Sequence, residues 1–463
     1  MSQREKQAFV HAGALLSGLC LGALLIFTVG CPGLLPPGGE PNEPRGNSGL
    51  TGKYVGSTRC KDCHALKHSD WAETLHEGAL DTLEEIGQGT NAACLGCHTV
   101  GYGEAGGFVD RATTNDLAGV GCETCHGAAR DHVENVADES LRPTVDLSSS
   151  LCGRCHTSEH HPTYEEWQEA AGHASVNEEI AAGMVAGTSF TTSCGVCHSG
   201  DVFYRAVLEE EEVANDDFVG MDVDELTPIS CVMCHSPHKR TGNAVEPGEG
   251  RDFQLRYPEV ANPAPVNTVE AATDATRFNL CGQCHHSRGR TWQSTERAPH
   301  HSVQANVYTG EMPTPDGEAL VLSRVSVHSF APEQCATCHM FRQDFQSEVA
   351  PAIAGHDFEV NYQSCSATGC HPSQAQAEAV RATLQAEIQA RLDDIEERLG
   401  DPADWEYSAQ GGPEDQDAIP DEIKKVRFLY YYAANDGSLG VHNPAYVRDM
   451  LEEADAILTS IGR

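Results

Sequence analysis

The sequence predicts a mainly α-helical and irregular protein in which bound cofactors fill much of the interior. Hydrophobic residues make up 40% of the 463 residues and aromatic residues only 6%, which is little for a conventional core in a chain of this length. Clusters of Gly, Pro, Asn and Asp divide the chain into short helical stretches, with hardly any alternating strand pattern. With 20 cysteines, the candidates for the missing interior are covalent cofactors, metal clusters and disulfides.

Eighteen of the cysteines fall in nine copies of one motif, numbered here 1 to 9 along the chain. Motifs 1 to 8 read Cys-x-x-Cys-His and are Cys60/Cys63/His64, Cys94/Cys97/His98, Cys122/Cys125/His126, Cys152/Cys155/His156, Cys194/Cys197/His198, Cys231/Cys234/His235, Cys281/Cys284/His285 and Cys335/Cys338/His339. Motif 9 is longer and reads Cys365-Ser-Ala-Thr-Gly-Cys370-His371. The copies follow no exact sequence period, so they indicate an array and not a repeat solenoid.

This spacing is typical of covalent haem c attachment. Two thiols one short turn apart add to the two vinyl groups of a haem, and the adjacent His binds the iron as the proximal ligand. Zinc sites also use Cys-x-x-Cys pairs, but they do not require a His after every second Cys. We therefore predict a haem-packed multihaem cytochrome c array with nine haems. At motif 9, a rarer spacing variant, the alternative is a surface loop with a disulfide.

The remaining histidines are candidates for the sixth coordination position of the irons. Of 23 histidines nine belong to the motifs and His11 lies in the N-terminal segment, which leaves thirteen. Nine are predicted as distal ligands: His76, His132, His161, His173, His238, His301, His328, His356 and His442. His161 and His301 stand for the pairs His160/His161 and His300/His301, each of which is expected to supply one ligand. His68 and His286 are interpreted as surface or supporting residues.

The N-terminus predicts export. Residues 1–31 contain Arg4 and Lys6 followed by an apolar run, which fits a cleaved signal peptide, a lipoprotein signal with Cys31 as the lipidated residue, or an uncleaved anchor. Residues 32–53 are rich in Pro, Gly and Asn and are interpreted as a flexible linker. The expected location is periplasmic or at the cell surface, with a membrane tether through the N-terminus.

The formal net charge of −39 limits the classes of molecule that the protein surface can bind. It disfavours nucleic acid and anionic lipid, and it favours either cationic redox partner proteins or simple solubility. Association into an oligomer or a filament is left open by the sequence.

Residues Tyr54 to about His132 resemble the cytochrome c554 family. The similarity lies in motif 1 with Trp71 and Thr74-Leu-His76, in motif 2 with the glycines that follow it, and in Gly119-Val-Gly-Cys-Glu-Thr-Cys-His126-Gly127 with Asp131-His132. The resemblance implies that His76 and His132 are distal ligands and that the motif 2 haem is five-coordinate. The chain departs from the four-haem family by its five additional motifs. We accordingly divide it into a c554-like haem module at 54–175, a second haem module at 176–372 and a C-terminal helical region at 373–463.

The C-terminal region lacks the motif. Apolar residues at helical spacing predict a long amphipathic helix: Val380, Leu384, Ile388, Leu392, Ile395 and Leu399. Two shorter helices are expected around Ile423–Ala434 and Ala445–Ile461. The region forms either a packing or dimerisation bundle or a cap over a haem.

Two functions are compatible with these features. Mostly bis-His irons would make the chain an electron carrier, which the number of spare histidines favours. An iron with an open position would instead make it a multihaem oxidoreductase acting on a small nitrogen or sulfur compound.

Overall fold

Short helices joined by irregular segments make up the described part of the chain before residue 374. The computed structural model describes residues 50–170, 172–240, 253–256, 280–315, 318–331, 333–367 and 369–463. The predicted export segment 1–31 and residues 32–49 of the predicted linker lie outside these ranges. None of the helices in the described ranges combines the length and the hydropathy that a bilayer span needs.

The helices of this first part are mostly one or two turns long. In chain order they are α1 Ser57–Cys60, α2 Ala65–Trp71, α3 Ala79–Glu85, α4 Ala92–His98, α5 Arg111–Thr114, α6 Cys122–His126, α7 Arg130–Glu134, α8 Ser149–Gly153, α9 Thr163–Glu169, α10 Glu178–Val185, α11 Phe190–Ser193, α12 Gly195–His198, α13 Gly200–Phe203, α14 Cys231–Cys234, α15 Gln304–Thr309, α16 Cys335–His339 and α17 Gln363–Ala367. Helices this short are not stable alone, so tertiary contacts must hold them.

Across the described residues, β-structure is limited to isolated bridges. They join Thr99 to Ala118, His235 to Leu255, Gln343 to Ile353 and Ser347 to Ala350. The mainly helical and irregular fold predicted from the sequence is confirmed.

The packed structure begins before Tyr54, within the predicted linker. The Arg130 guanidinium donates to the carbonyl of Leu50 at 2.8 Å and also bonds the carbonyl of Gly52. Gly52 lies directly against Gly106, where a Cβ on either residue would clash with the other backbone. Residues 50–53 are therefore part of the folded protein, because an arginine distant in sequence satisfies their carbonyl groups.

Three long helices form the C-terminal bundle. They are α18 Gln374–Leu399, α20 Asp421–Ala434 and α21 Pro444–Ser460, with the short α19 Pro402–Trp405 between the first two. The side chain of Ser373 caps α18 by accepting from the Gln376 N–H, and Asn443 caps α21 in the same way. The three helices predicted from apolar spacing are present at nearly the expected bounds.

The largest hydrophobic core of the described residues lies in this bundle. Five of the six predicted apolar positions of α18 are buried there, facing residues such as Val426 of α20 and Met450 of α21. Val380, the sixth, is 52% exposed, because the first turns of α18 face the cavity described below and not the bundle.

Candidate functional site

Each motif folds so that its first cysteine and its histidine share one helical face. The histidine N–H donates to the carbonyl of the first cysteine at 2.8–3.2 Å in motifs 1, 4, 5, 6 and 7. Residues four apart on a helix lie one above the other on the same side. Cysteine sulfur and imidazole are thereby presented together, as covalent haem attachment with axial ligation requires.

Motif 9 keeps this arrangement despite its longer spacing. The N–H of His371 donates to the carbonyl of Cys365 at 3.1 Å, although two additional residues separate them. Gly369, which lies between the two cysteines, has a φ of +74° that suits glycine. Motif 9 therefore places His371 beside Cys365, as the shorter motifs place their histidines beside their first cysteines.

The motifs line one continuous cavity of about 3180 Å³. All nine motif histidines and every motif cysteine except Cys194 contribute to its wall. Ordinary ligand pockets measure roughly 300–1,000 Å³, so this space suits several large cofactors. The cavity runs through both predicted haem modules and reaches the first turns of α18 and the loop before α21.

Six motif histidines face a second histidine across this cavity. The ring-centre distances are 6.1 Å for His156/His76, 6.0 Å for His126/His238, 6.1 Å for His285/His173, 6.3 Å for His198/His300, 6.2 Å for His235/His356 and 6.2 Å for His339/His442. A metal ion between two imidazoles, with each metal–nitrogen bond about 2 Å long, keeps the ring centres roughly 6 Å apart. Each pair combines one motif histidine with one distant histidine, so the spacing fits six bis-His irons.

Hydrogen bonds at Nδ1 orient many of these rings. On the motif side Nδ1–H donates to a backbone carbonyl in His98 (Ala79, 2.7 Å), His126 (Thr144, 2.9 Å), His235 (Phe253, 2.6 Å) and His339 (Phe358, 2.8 Å). On the distant side it donates in His328 (Val441 carbonyl, 2.9 Å), His356 (Ala354 carbonyl, 3.0 Å) and His442 (Asp436 carboxylate, 2.7 Å). A proton held on Nδ1 leaves the Nε2 lone pair for a metal, which is the usual arrangement around a ligating histidine.

At His442 the effect of burial is outweighed by the Asp436 carboxylate, which raises the pKa, but burial keeps most of the other facing rings uncharged. It lowers the pKa of His156, His173, His238 and His356 to about 4, and that of His300 to about 3. Removing an imidazolium from water is costly, so the neutral form dominates near pH 7. Neutral imidazole is the form that binds iron.

One predicted residue differs from the one that the structure places opposite a motif. The sequence-based choice within His300/His301 was His301, whereas the ring facing His198 belongs to His300. The Nδ1 of His300 contacts the Ser302 hydroxyl at 2.9 Å, and this contact directs its ring toward motif 5. His301 also lines the cavity, but its neighbour occupies the facing position.

The other predicted distal histidines lie in the same cavity. His161 interacts electrostatically with His98 of motif 2, and His328 does so with His371 of motif 9. His132 and His64 of motif 1 both line the cavity. The Nδ1 of His132 is buried and has no hydrogen-bond partner in the protein.

His68 and His286, interpreted from the sequence as surface or supporting residues, make contacts unlike those of the facing histidines. Nδ1 of His286 accepts the N–H of Arg288 at 3.1 Å, so its proton resides on Nε2, the opposite tautomer to a ligand. The ring of His68 lies edge-on to Trp71, with 5.4 Å between ring centres.

Cysteine side chains of different motifs lie near one another. The thiols stand in for the thioether sulfurs of a haem-bearing chain. The side chains lie near enough to interact in five pairs, Cys60 with Cys122, Cys97 with Cys155, Cys152 with Cys231, Cys197 with Cys284 and Cys281 with Cys335. Weaker electrostatic contacts join Cys125 to Cys152, Cys234 to Cys281 and Cys338 to Cys365. These contacts connect motif 1 to 3, 3 to 4, 2 to 4, 4 to 6, 6 to 7, 5 to 7, 7 to 8 and 8 to 9.

Sequence reasoning missed the carboxylate of Glu123, which lies between the two cysteines of motif 3 and is 4% exposed. It accepts the N–H groups of Val55 (3.1 and 3.0 Å), Gly56 (2.8 Å) and Ala129 (2.9 Å). Glu123 thus fastens the start of the folded chain to the motif. An acidic residue in an otherwise small, apolar motif was the available signal.

Part of the chain is similar in sequence to a known cytochrome family. Residues 59–127 match the family described as cytochrome c554 and c-prime. Cytochrome c-554 of Nitrosomonas europaea is 31% identical over a stretch that covers 17% of this chain and 40% of that relative, so the chain spans less than half of its length.

Two solved structures share the fold over most of the chain. The outer cell wall cytochrome OcwA has a TM-score of 0.58 and 18% identity, covering 88% of this chain and all of that one. The undecahaem cytochrome from the S-layer of Carboxydothermus ferrireducens has a TM-score of 0.58 and 21% identity, covering 89% of this chain and 70% of that one. The motifs, the family match and the shared fold together identify the chain as a multihaem c-type cytochrome that is similar to cytochrome c554 over residues 59–127.

Proposed function

We propose that this protein carries electrons through nine covalently bound haems c, each held by a motif histidine and a second histidine. The observation that carries the proposal is the set of six facing histidine pairs, whose ring centres lie 6.0–6.3 Å apart. Haem supplies a reversible one-electron iron couple. Two protein ligands on each iron leave no position for a substrate, which favours transfer over catalysis.

The three remaining motifs are assigned the remaining histidines. His161 serves motif 2, His328 serves motif 9 and His132 serves motif 1. The electrostatic contacts of His161 and His328 with those motifs support the first two assignments. The third follows because His132 lines the same cavity as motif 1 and keeps a buried, unbonded Nδ1.

The sulfur contacts give the proposed route through the protein. Electrons pass along motifs 1, 3, 4, 6, 7, 8 and 9, with motif 2 as a branch at motif 4 and motif 5 as a branch at motif 7. Motifs 1 and 9 are the two ends of this route. Donor and acceptor proteins would dock there, and the net charge of −39 favours cationic partner surfaces and disfavours nucleic acid.

We further propose that the protein is exported and tethered outside the cytoplasm through its N-terminus. The positive N-terminal residues, the apolar run and Cys31 support this. The descriptions of the two similar structures, from an outer cell wall and an S-layer, agree with such a location.

The spin state of the irons tests the proposed function. The ferric holoprotein should give low-spin spectra for all nine irons by EPR and low-temperature absorption. A high-spin fraction in the wild-type protein would mean an open iron and would support the oxidoreductase alternative, first of all at motif 2.

A further inference from the structure

The loop between α20 and α21 holds a buried carboxylate beside one predicted iron ligand. The side chain of Asp436 is fully buried, and its Oδ1 accepts Nδ1–H of His442 at 2.7 Å. Its Oδ2 accepts the hydroxyl of Ser438, and that hydroxyl oxygen in turn accepts the N–H of His442 at 3.0 Å. The loop thus fixes both the ring and the backbone of His442.

The other distal histidines with a described Nδ1 contact have neutral partners. His328 and His356 donate to backbone carbonyls, and His300 contacts a serine hydroxyl. His339, which faces His442 across the cavity, donates to the carbonyl of Phe358 at 2.8 Å. The two histidines at motif 8 therefore differ, with a carbonyl behind one ring and a full negative charge behind the other.

A carboxylate behind an imidazole makes its Nε2 a stronger electron donor. The Nδ1–H bond is charge-assisted, so the ring gains imidazolate character and stabilises ferric iron over ferrous iron. A buried negative charge near the iron acts in the same direction, since reduction removes a positive charge that the carboxylate attracts. Both effects lower the reduction potential.

We propose that Asp436 is a positioning residue that lowers the reduction potential of the motif 8 haem through His442. The inference rests on the proposed function, in which His339 and His442 bind one iron. Sulfur contacts place motif 8 between motifs 7 and 9. A haem of low reduction potential at this point is thermodynamically uphill for an electron that arrives from motif 7. It therefore slows electron transfer from motif 7 to motif 9.

The test is a spectroscopic redox titration of the full-length holoprotein in four forms. The first two are wild type and Asp436→Asn, which keeps the size and a hydrogen-bond acceptor but removes the charge. Asp393→Asn is the matched control, because Asp393 is an exposed carboxylate on α18. His442→Ala reports separately whether His442 is an iron ligand, through the appearance of high-spin iron in EPR.

Mutating the hydrogen-bond partner of a metal ligand typically costs 10–100-fold in metal affinity or activity. We expect Asp436→Asn to keep all irons low-spin and to favour reduction of one haem in nine by at least about tenfold, which is 59 mV for one electron. Asp393→Asn should leave that haem unchanged.

The outcomes separate this inference from the proposed function. High-spin iron in His442→Ala together with an unshifted Asp436→Asn titration would overturn the role of Asp436 and leave the ligation intact. No high-spin iron in His442→Ala would overturn the ligation of motif 8 and this inference with it. If Asp436→Asn does not fold, Ser438→Ala replaces it, since the loss of this donor leaves the carboxylate a stronger acceptor. The potential should then fall, and a rise would contradict the proposal.

Discussion

Two of the facing histidine pairs differ greatly in the angle between their rings, which gives a direct spectroscopic prediction. The planes of His126 and His238 are 5° apart, whereas those of His76 and His156 are 72° apart. Parallel imidazoles donate π electron density into the same iron d orbital and so raise its energy above that of the second dπ orbital. Nearly perpendicular imidazoles donate into both orbitals and leave them close in energy. The ferric haem of motif 3 should therefore give a rhombic low-spin EPR signal, and that of motif 4 a highly anisotropic one with a large maximum g value.

Alanine substitution of the distal member should remove one signal at a time. Because the thioether bonds still hold the haem, the iron loses a ligand without leaving the protein. We expect His238→Ala to convert one iron in nine to high spin and to remove a rhombic component. His76→Ala should give the same high-spin fraction but remove an anisotropic component.

The assay is EPR spin quantitation of the oxidised holoprotein at equal haem content. His68→Ala is the control, because His68 lies eight positions before His76 and its ring contacts Trp71; its spectrum should match wild type. High-spin iron in His68→Ala but not in His76→Ala would refute the assignment of the pair. Loss of the same signal in both His76→Ala and His238→Ala would refute the argument from ring angle.

Three further predictions follow from the N-terminus, motif 9 and motif 3. Intact-mass measurement of the mature protein should show nine haems, one fewer when Cys365 and Cys370 are both changed to Ala; eight haems in wild type would mean that motif 9 is empty. Cys31→Ser should release the protein from the membrane fraction, whereas continued retention would indicate an uncleaved helical anchor. Glu123→Ala leaves buried N–H groups unpaired and should lower the free energy of unfolding by roughly 3 kcal/mol. An equal loss of thermal stability in the exposed control Glu397→Ala would contradict that role.

The candidate haem-attachment residues could be predicted from the sequence because the chemistry expected of them is local. Sulfur and imidazole must lie within one helical turn of each other, so the requirement is written in five to seven consecutive residues. The helices of the C-terminal bundle were predictable for a similar reason, since the apolar spacing of α18 reflects one buried face. Val380 shows the limit of that reasoning, because the spacing does not reveal whether a face meets protein or cofactor.

The pairing of the facing histidines could not be predicted from the sequence in the same way. His76 follows motif 1 in the chain but faces His156 of motif 4, and His173 lies between motifs 4 and 5 but faces His285 of motif 7. Such partners are selected by the packing of the whole array. The choice between His300 and His301 depended on a single contact to Ser302, which neighbouring residue types do not specify.

The protein has two kinds of interior, and one supports the other. The C-terminal bundle has a conventional core of buried side chains, whereas the motif-bearing part surrounds the cavity with short helices. The loop before α21 belongs to the bundle, since Asn443 both caps that helix and donates to the carbonyl of Val307 at 3.0 Å. This loop carries His442, and the carbonyl of Val441 accepts from His328. The positions of His442 and His328, the proposed ligands at motifs 8 and 9, are therefore set by a core of protein side chains, which explains how a region without any attachment motif contributes to the proposed electron route.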